Sequence, residues 1–259
     1  MDTREGIMKT TIFSLGFLAI LGSAAAGQTG DYGLPAGGQV IEIQPIRSMK
    51  HPHRALMLWM LNPLKVPRDT PDDLYTCPEY TRGSHYSGPT RVSLVDTQAK
   101  KIINTINILN FEGNDSFDIP YRIEKGLYYH VAGVPKGKEG KPTIMWLRDY
   151  NGDGHAWEFA LFDALFCMGL PTTLIGYSEA QDRVIQYPVE LTEISGKEKS
   201  TRMALWVDYL FSKPPERPGF WKYAIDYRGR AGTLDSYEVR YLPKEEKFEG
   251  QLISTGEGS

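Results

Sequence analysis

Short stretches in which apolar and polar residues alternate recur along the chain, and turn-forming residues separate them. A period of two places successive side chains on opposite faces of a sheet, and short connections join antiparallel neighbours. The pattern predicts an all-β, mostly antiparallel chain. The stretches are residues 92–95, 102–106, 174–177, 184–187, 203–211, 223–227, 236–241 and 248–252.

The same pattern leaves the architecture open between two alternatives. The hairpin at 92–108 is similar to the hairpin of a β-propeller blade, but the sequence holds no exact internal repeat. An irregular propeller-like meander and a two-sheet β-sandwich both suit a domain of this size. Residues 62–90 are rich in Pro, Asp, Thr, Ser and Gly and are expected to form a long irregular loop. Residues 156–168 suit a buried helix or a central strand, and we favour the strand.

The charge balance argues against one class of partner. The 259 residues include 29 Lys and Arg against 32 Asp and Glu, a net charge of −3. A nucleic-acid-binding protein needs a basic surplus to neutralise phosphates. We therefore expect no nucleic-acid partner.

The N-terminus has the sequence pattern of an export signal. Lys9 precedes the apolar run 12–21, and the small residues 22–26 follow it, which predicts a secretory signal peptide cut after Ala26. Two acids in the first seven residues are unusual for such a signal, so we expect translation to start at Met8 rather than Met1. Residues 27–39 read as a flexible leader, 40–253 as a single all-β domain and 254–259 as a disordered tail. The sequence predicts a secreted or periplasmic protein without a membrane span.

Two cysteines, Cys77 and Cys167, are present. In an exported protein a pair of cysteines can form a disulfide, which would close a long loop. Alternatively, Cys167 is a buried apolar thiol within its hydrophobic segment. The spacing alone leaves both alternatives open.

One segment has a chemical signature. Residues 148–159 place Asp149, Asn151 and Asp153 at alternate positions, followed by Gly154. Alternate oxygen-bearing side chains point to one side of a tight loop, and glycine allows the bend that wraps them around an ion. Hard oxygen ligands of this kind suit Ca²⁺, and the backbone carbonyl of His155 is the expected next ligand.

This segment resembles the Asp-x-Asn-x-Asp-Gly loops of EF-hands, dockerins and the FG-GAP or VCBS-type propeller repeats. EF-hands place an acid at position 12, where this chain has Ala160. The propeller-type loops place an acid at position 9, where this chain has Trp157. Glu158, at position 10, would close the site if the exit segment is a strand or bulges by one residue. A turn joining two strands without an ion is the alternative.

The function expected from these features is that of a binding or interaction module with one structural calcium ion and an unknown protein or carbohydrate ligand. No catalytic motif is identified. The alternative is a secreted carbohydrate-active hydrolase or lyase braced by calcium, in which carboxylates and aromatic rings meet in one groove. Trp157 and Trp221 are the expected exposed aromatics, and Trp146 and Trp206 are the expected core residues.

Overall fold

The computed structural model describes residues 32–67, 81–126, 128–133, 138–163, 169–228 and 232–256. Within these residues the regular structure consists of strands and short 3₁₀ segments, among them Leu210–Ser212. The strands are β1 Gly38–Pro45, β2 Arg54–Leu61, β3 Leu64–Val66, β4 Thr81–Asp96, β5 Lys101–Ile108, β6 Ser116–Gly126, β7 Glu158–Phe162, β8 Pro171–Ser178, β9 Arg183–Gln186, β10 Val189–Ser195, β11 Glu198–Ala204, β12 Val207–Asp208, β13 Phe220–Asp226, β14 Leu234–Leu242 and β15 Lys247–Thr255.

The described strands form three open sheets. The first holds β1 to β6, the second has the order β11-β10-β15-β14-β13, and the third combines β12, β8 and β7 with β9. Every pairing among them is antiparallel except that of β10 with β15. The prediction of an all-β, mostly antiparallel fold is confirmed.

The sixteen-residue strand β4 organises the first sheet. Its second half pairs with β2 and β5, and its first half pairs with β3 and β6. The expected irregular loop at 62–90 is therefore wrong for residues 64–66 and 81–90. Gly, Ser and Pro favour turns locally, but pairing with partners distant in sequence outweighs that preference here.

Strand β2 is buried on both faces. Leu56, Leu58 and Met60 face the main core, whereas Met57 and Trp59 face a second cluster that includes Tyr32. A strand that is covered on both faces has a continuous apolar sequence, and residues 55–61 of β2 are all apolar.

One main hydrophobic cluster connects the three sheets. Phe159 of β7, Trp221 of β13 and Phe248 of β15 belong to it and are fully buried. The rings of Trp221 and Phe248 meet edge to face at 5.7 Å, and Phe211 lies 5.6 Å from Trp221. Aromatic edge contacts of this kind add to the burial of apolar area.

The expected strand at 203–211 is interrupted. Tyr209 has a φ of 58°, and the backbone then forms the 3₁₀ turn with both Leu210 and Phe211 buried. Adjacent residues of a strand point to opposite faces, so a strand with one face on the core could not bury both. The strand expected within 156–168 is present as β7, and the three-strand meander is present as β13 to β15.

Several expectations fall outside the described residues. The signal peptide and the first residues of the leader precede residue 32, and Cys77 and Cys167 lie in segments 68–80 and 164–168. The possible disulfide therefore stays a prediction. In the part of the chain that the structure describes, no helix is long and apolar enough to cross a bilayer.

Candidate functional site

The segment 149–157 is a loop whose two ends are held together by backbone pairing. Arg148 N donates to Glu158 O at 2.8 Å, and Glu158 N donates to Arg148 O at 3.2 Å. Strand β7 begins at Glu158. The exit segment is thus a strand, which is the condition under which we expect Glu158 to close the site.

Inside the loop, the side chains at alternate positions bind the backbone that follows them. The Asp149 carboxylate accepts from Gly152 N at 2.7 Å and from Gly154 N at 2.9 Å. Asn151 Oδ1 accepts from Asp153 N at 3.0 Å, and Asp153 Oδ1 accepts from His155 N at 2.8 Å. Asx side chains stabilise tight turns through such bonds. Each predicted side-chain position therefore shapes the loop.

The loop packs against the turn that precedes β13. Gly152 has a φ of 80°, and a Cβ there would lie 2.8 Å from the carbonyl carbon of Pro218. A Cβ on Gly219, whose φ is 72°, would lie 2.5 Å from Asn151 O. Both positions therefore require glycine, because of their conformation and their close contact. Sequence analysis gave no role to Pro218 and Gly219, since they lie far from the loop along the chain.

Glu158 is fully buried at the base of the loop. It pairs in register with Gly176 of β8, where a Cβ would lie 2.7 Å from Glu158 Cγ. Its Oε2 accepts from Tyr150 N at 3.2 Å, and the Tyr187 hydroxyl lies 3.5 Å from Oε1. Gly176 and Tyr187 are two residues of the site that sequence analysis missed, because only the sheet register brings them to Glu158.

The amide group of Asn151 links two of the carboxylates. Its Nδ2 donates to Asp153 Oδ2 at 3.1 Å and to Glu158 Oε1 at 3.2 Å. Asn151 is itself buried. The residues at positions 3, 5 and 10 of the motif are therefore brought together, and a neutral donor lies between the two acids.

The electrostatics of the site are unfavourable for its negative charges. Burial raises the pKa of Glu158 to about 9, and repulsion from Asp153 and Asp149 adds to that increase. Among the described residues, no Lys, Arg or His forms a salt bridge with any of these three acids. A buried carboxylate without a cation is costly to ionise.

The donor set of the loop consists of oxygen atoms. Asp149, Asn151, Asp153 and Glu158 offer carboxylate or amide oxygens, which are the ligands that Ca²⁺ prefers. The imidazole of His155 stacks on Trp157, with ring centroids 4.1 Å apart, so the expected contribution of this residue is its backbone carbonyl. In the described residues no group of three or more His, Cys, Asp and Glu side chains is arranged to hold a metal. A calcium site would therefore depend on the Asn151 amide and on backbone oxygen as well as on the acids.

Tryptophan exposure differs from the expectation. Trp157 and Trp221, the expected exposed rings, are buried, whereas Trp146 is 44% exposed. Trp206 is buried as expected, and its indole N–H donates to Leu109 O at 3.1 Å. Trp157 directly precedes β7, and Trp221 lies within β13. Tertiary packing therefore buries both rings.

Two surface pockets were compared with the groove of carboxylates and aromatic rings that a carbohydrate-active enzyme would need. A groove on the second sheet includes Glu190, Glu238 and Glu249, each of which pairs with Lys or Arg. A smaller pocket beside the loop has aromatic walls and an arginine, and none of the described residues that line it is Asp or Glu. In the part of the chain that the structure describes, neither pocket combines aromatic walls with unpaired carboxylates.

Comparison of the chain with protein families, with curated proteins and with solved structures found no match.

Proposed function

We propose that residues 149–158 bind one structural calcium ion and that the protein is a calcium-stabilised binding or interaction module. The observation that carries this proposal is the buried side chain of Glu158, which faces Asp153 across the Asn151 amide and has no salt bridge to a described Lys, Arg or His. A divalent cation would relieve the repulsion among the acids of the loop.

The loop geometry supports a structural role for the ion. The backbone pairing of Arg148 with Glu158 closes the loop, and Gly152 rests against Pro218 near β13. An ion held by Asp149, Asn151, Asp153, the His155 carbonyl and Glu158 would therefore tie the start of β7 to the second sheet. The chemistry it supplies is charge neutralisation.

The proposed cellular location agrees with such a site. Extracellular calcium modules bind the ion with dissociation constants of about 10⁻⁴–10⁻³ M. The signal-like N-terminus supports a secreted or periplasmic location. The ligand of the module is a protein or a carbohydrate.

The first test is calorimetric titration of calcium into chelator-treated protein, with thermal unfolding measured in parallel. We expect one saturable site with a dissociation constant near 10⁻³ M or below. At ten times that concentration, binding would stabilise the folded state by about 1.4 kcal/mol and raise the Tm by about 3–5 °C.

The variant Asp153→Asn should abolish both the heat of binding and the calcium-dependent rise in Tm. Asp115→Asn is the matched control, because Asp115 is exposed and lies outside the loop. An equal loss of Tm in calcium and in chelator for Asp153→Asn would contradict the proposal and would leave the segment as a turn without an ion.

No specific observation favours the alternative of a carbohydrate-active hydrolase or lyase. That function requires carboxylates converging in an aromatic-lined groove. The glutamates of the groove on the second sheet are paired with cations, and the aromatic pocket is lined by an arginine instead.

A further inference from the structure

A pocket with aromatic walls opens beside the loop, against one face of β7. Its volume is about 140 Å³. Ala160 and Phe162 of β7 form its floor, on the face of that strand that also carries Glu158. The residues that matter for its chemistry are Tyr128, Trp146, Arg148, Tyr150, Phe162 and Phe211.

A second part of the lining comes from the segment that leads into the loop and lies beside β7. Ile144, Trp146, Arg148 and Tyr150 all line the pocket, so alternate side chains of this segment point into it. The backbone pairing of Arg148 with Glu158 holds the end of the segment in place. The pocket is therefore anchored to the third sheet.

Among the described residues that line this pocket, only Arg148 is charged. Its guanidinium lies 3.8 Å from the ring centroid of Trp146, and both side chains are exposed. Among the described residues, the Arg148 side chain has no hydrogen-bond acceptor and no carboxylate partner. Stacking on an aromatic ring orients a guanidinium and leaves its N–H groups free to bind a planar anion.

We propose that this pocket binds a small aromatic carboxylate, with the ring between the aromatic walls and the carboxylate on Arg148. A cavity of about 150 Å³ accepts one benzene-sized ring, which matches the volume here. Aromatic walls favour a ring in edge-to-face or offset contact.

The lining also distinguishes this ligand from a sugar acid. A monosaccharide needs several polar partners for its hydroxyl groups. Apart from Arg148, the described lining residues with polar side-chain groups are Ser212, two tyrosines and Trp146, and the Ser212 hydroxyl already donates to Tyr209 O at 2.8 Å.

The test is calorimetric titration of phenylacetate into the full-length chain, in calcium and in chelator, with 2-phenylethanol and galacturonate as comparison ligands. We expect phenylacetate to bind with a dissociation constant of about 1 mM or tighter. We expect Arg148→Gln to weaken this binding by about tenfold or more. Arg217→Gln is the matched control, because Arg217 is also exposed and lies 4.8 Å from the ring centroid of Phe220, outside the pocket.

Three outcomes of the ligand titrations would overturn the proposal. They are the absence of saturable binding up to about 10 mM phenylacetate, equal affinity for the neutral alcohol, and tighter binding of galacturonate. Equal weakening by both arginine variants would also contradict it. Because the proposal does not require calcium, failure of the calcium titration leaves this test intact.

Discussion

Glu158 is buried because its neighbour across the sheet has no side chain. Gly176 lies opposite it in register, and the Glu158 side chain occupies the space that a Cβ would fill. The carbonyl oxygen of Trp157 would lie 3.0 Å from the same Cβ. The glycine therefore determines how deeply the acid enters the protein.

Gly176→Ala should destabilise the protein by about 1–3 kcal/mol, because the added methyl group overlaps both Glu158 Cγ and a backbone atom. Urea unfolding followed by circular dichroism measures this change. Gly256→Ala is the control, since no atom lies within 4 Å of the Cβ it would add. Equal stability of the Gly176→Ala variant and the control would show that the strand pair adjusts without cost.

At the scale of the element, Arg54 links the first sheet to the third. It begins β2, and its Nη1 donates to Asp96 at the end of β4 at 2.7 Å. Its Nε and Nη2 bind the two oxygens of Asp182, in the turn between β8 and β9, at 2.9 and 2.6 Å. The pKa of Asp182 is lowered mainly by its hydrogen bonds with Arg54. The pKa of Asp96 is lowered by hydrogen bonds from the backbone of Ala99 and Gln98 and by the hydrogen bond and charge of Arg54.

These lowered pKa values predict a loss of stability in acid. Both carboxyl groups bind protons more readily in the unfolded chain, where the pKa of Asp is about 3.9, so the stabilisation is complete above that pH. It is lost as the pH falls through the lower pKa values of the folded state. Arg54→Met should therefore reduce the slope of unfolding free energy against pH below about pH 4.

Denaturant unfolding at a series of pH values measures that slope. Arg183→Met is the control, because Arg183 lies beside Asp182 and forms no ion pair with the described residues. An unchanged slope in Arg54→Met would show that other carboxyl groups determine the acid sensitivity.

At the scale of the whole molecule, burial of apolar surface joins the sheets. The main cluster draws on strands of all three, and a second cluster covers the other face of β2. The N-terminal apolar run at 12–21 is expected to be removed during export.

Expression of the full-length chain in a bacterial host should give an exported product that begins at Gly27. The small residues Ala24 and Ala26 fit the recognition site of the signal peptidase. N-terminal sequencing of the protein from the extracellular or periplasmic fraction identifies its first residue. The double variant Ala24→Phe and Ala26→Phe should retain the signal. A mature product that retains Asp2 would contradict both the cleavage site and translation from Met8.

The sequence predicted the elements that depend on neighbours along the chain. Period-two alternation was sufficient for the hairpins β4–β5 and β8–β9 and for the last meander. It was insufficient at 203–211, where Tyr209 turns the backbone, and at 81–90, where β6 provides a partner that local composition does not indicate. Exposure of Trp146 and burial of Trp157 were likewise decided by packing.

For the candidate site, the sequence determined the order of oxygen donors at Asp149, Asn151 and Asp153, because Asx turns form between residues close in the chain. Only the tertiary structure decided what surrounds them. The register of β7 on β8 buries Glu158 above Gly176, and the turn at Pro218 supports the loop from the second sheet. These contacts join residues far apart in sequence, and burial depends on the surfaces that the folded chain brings together.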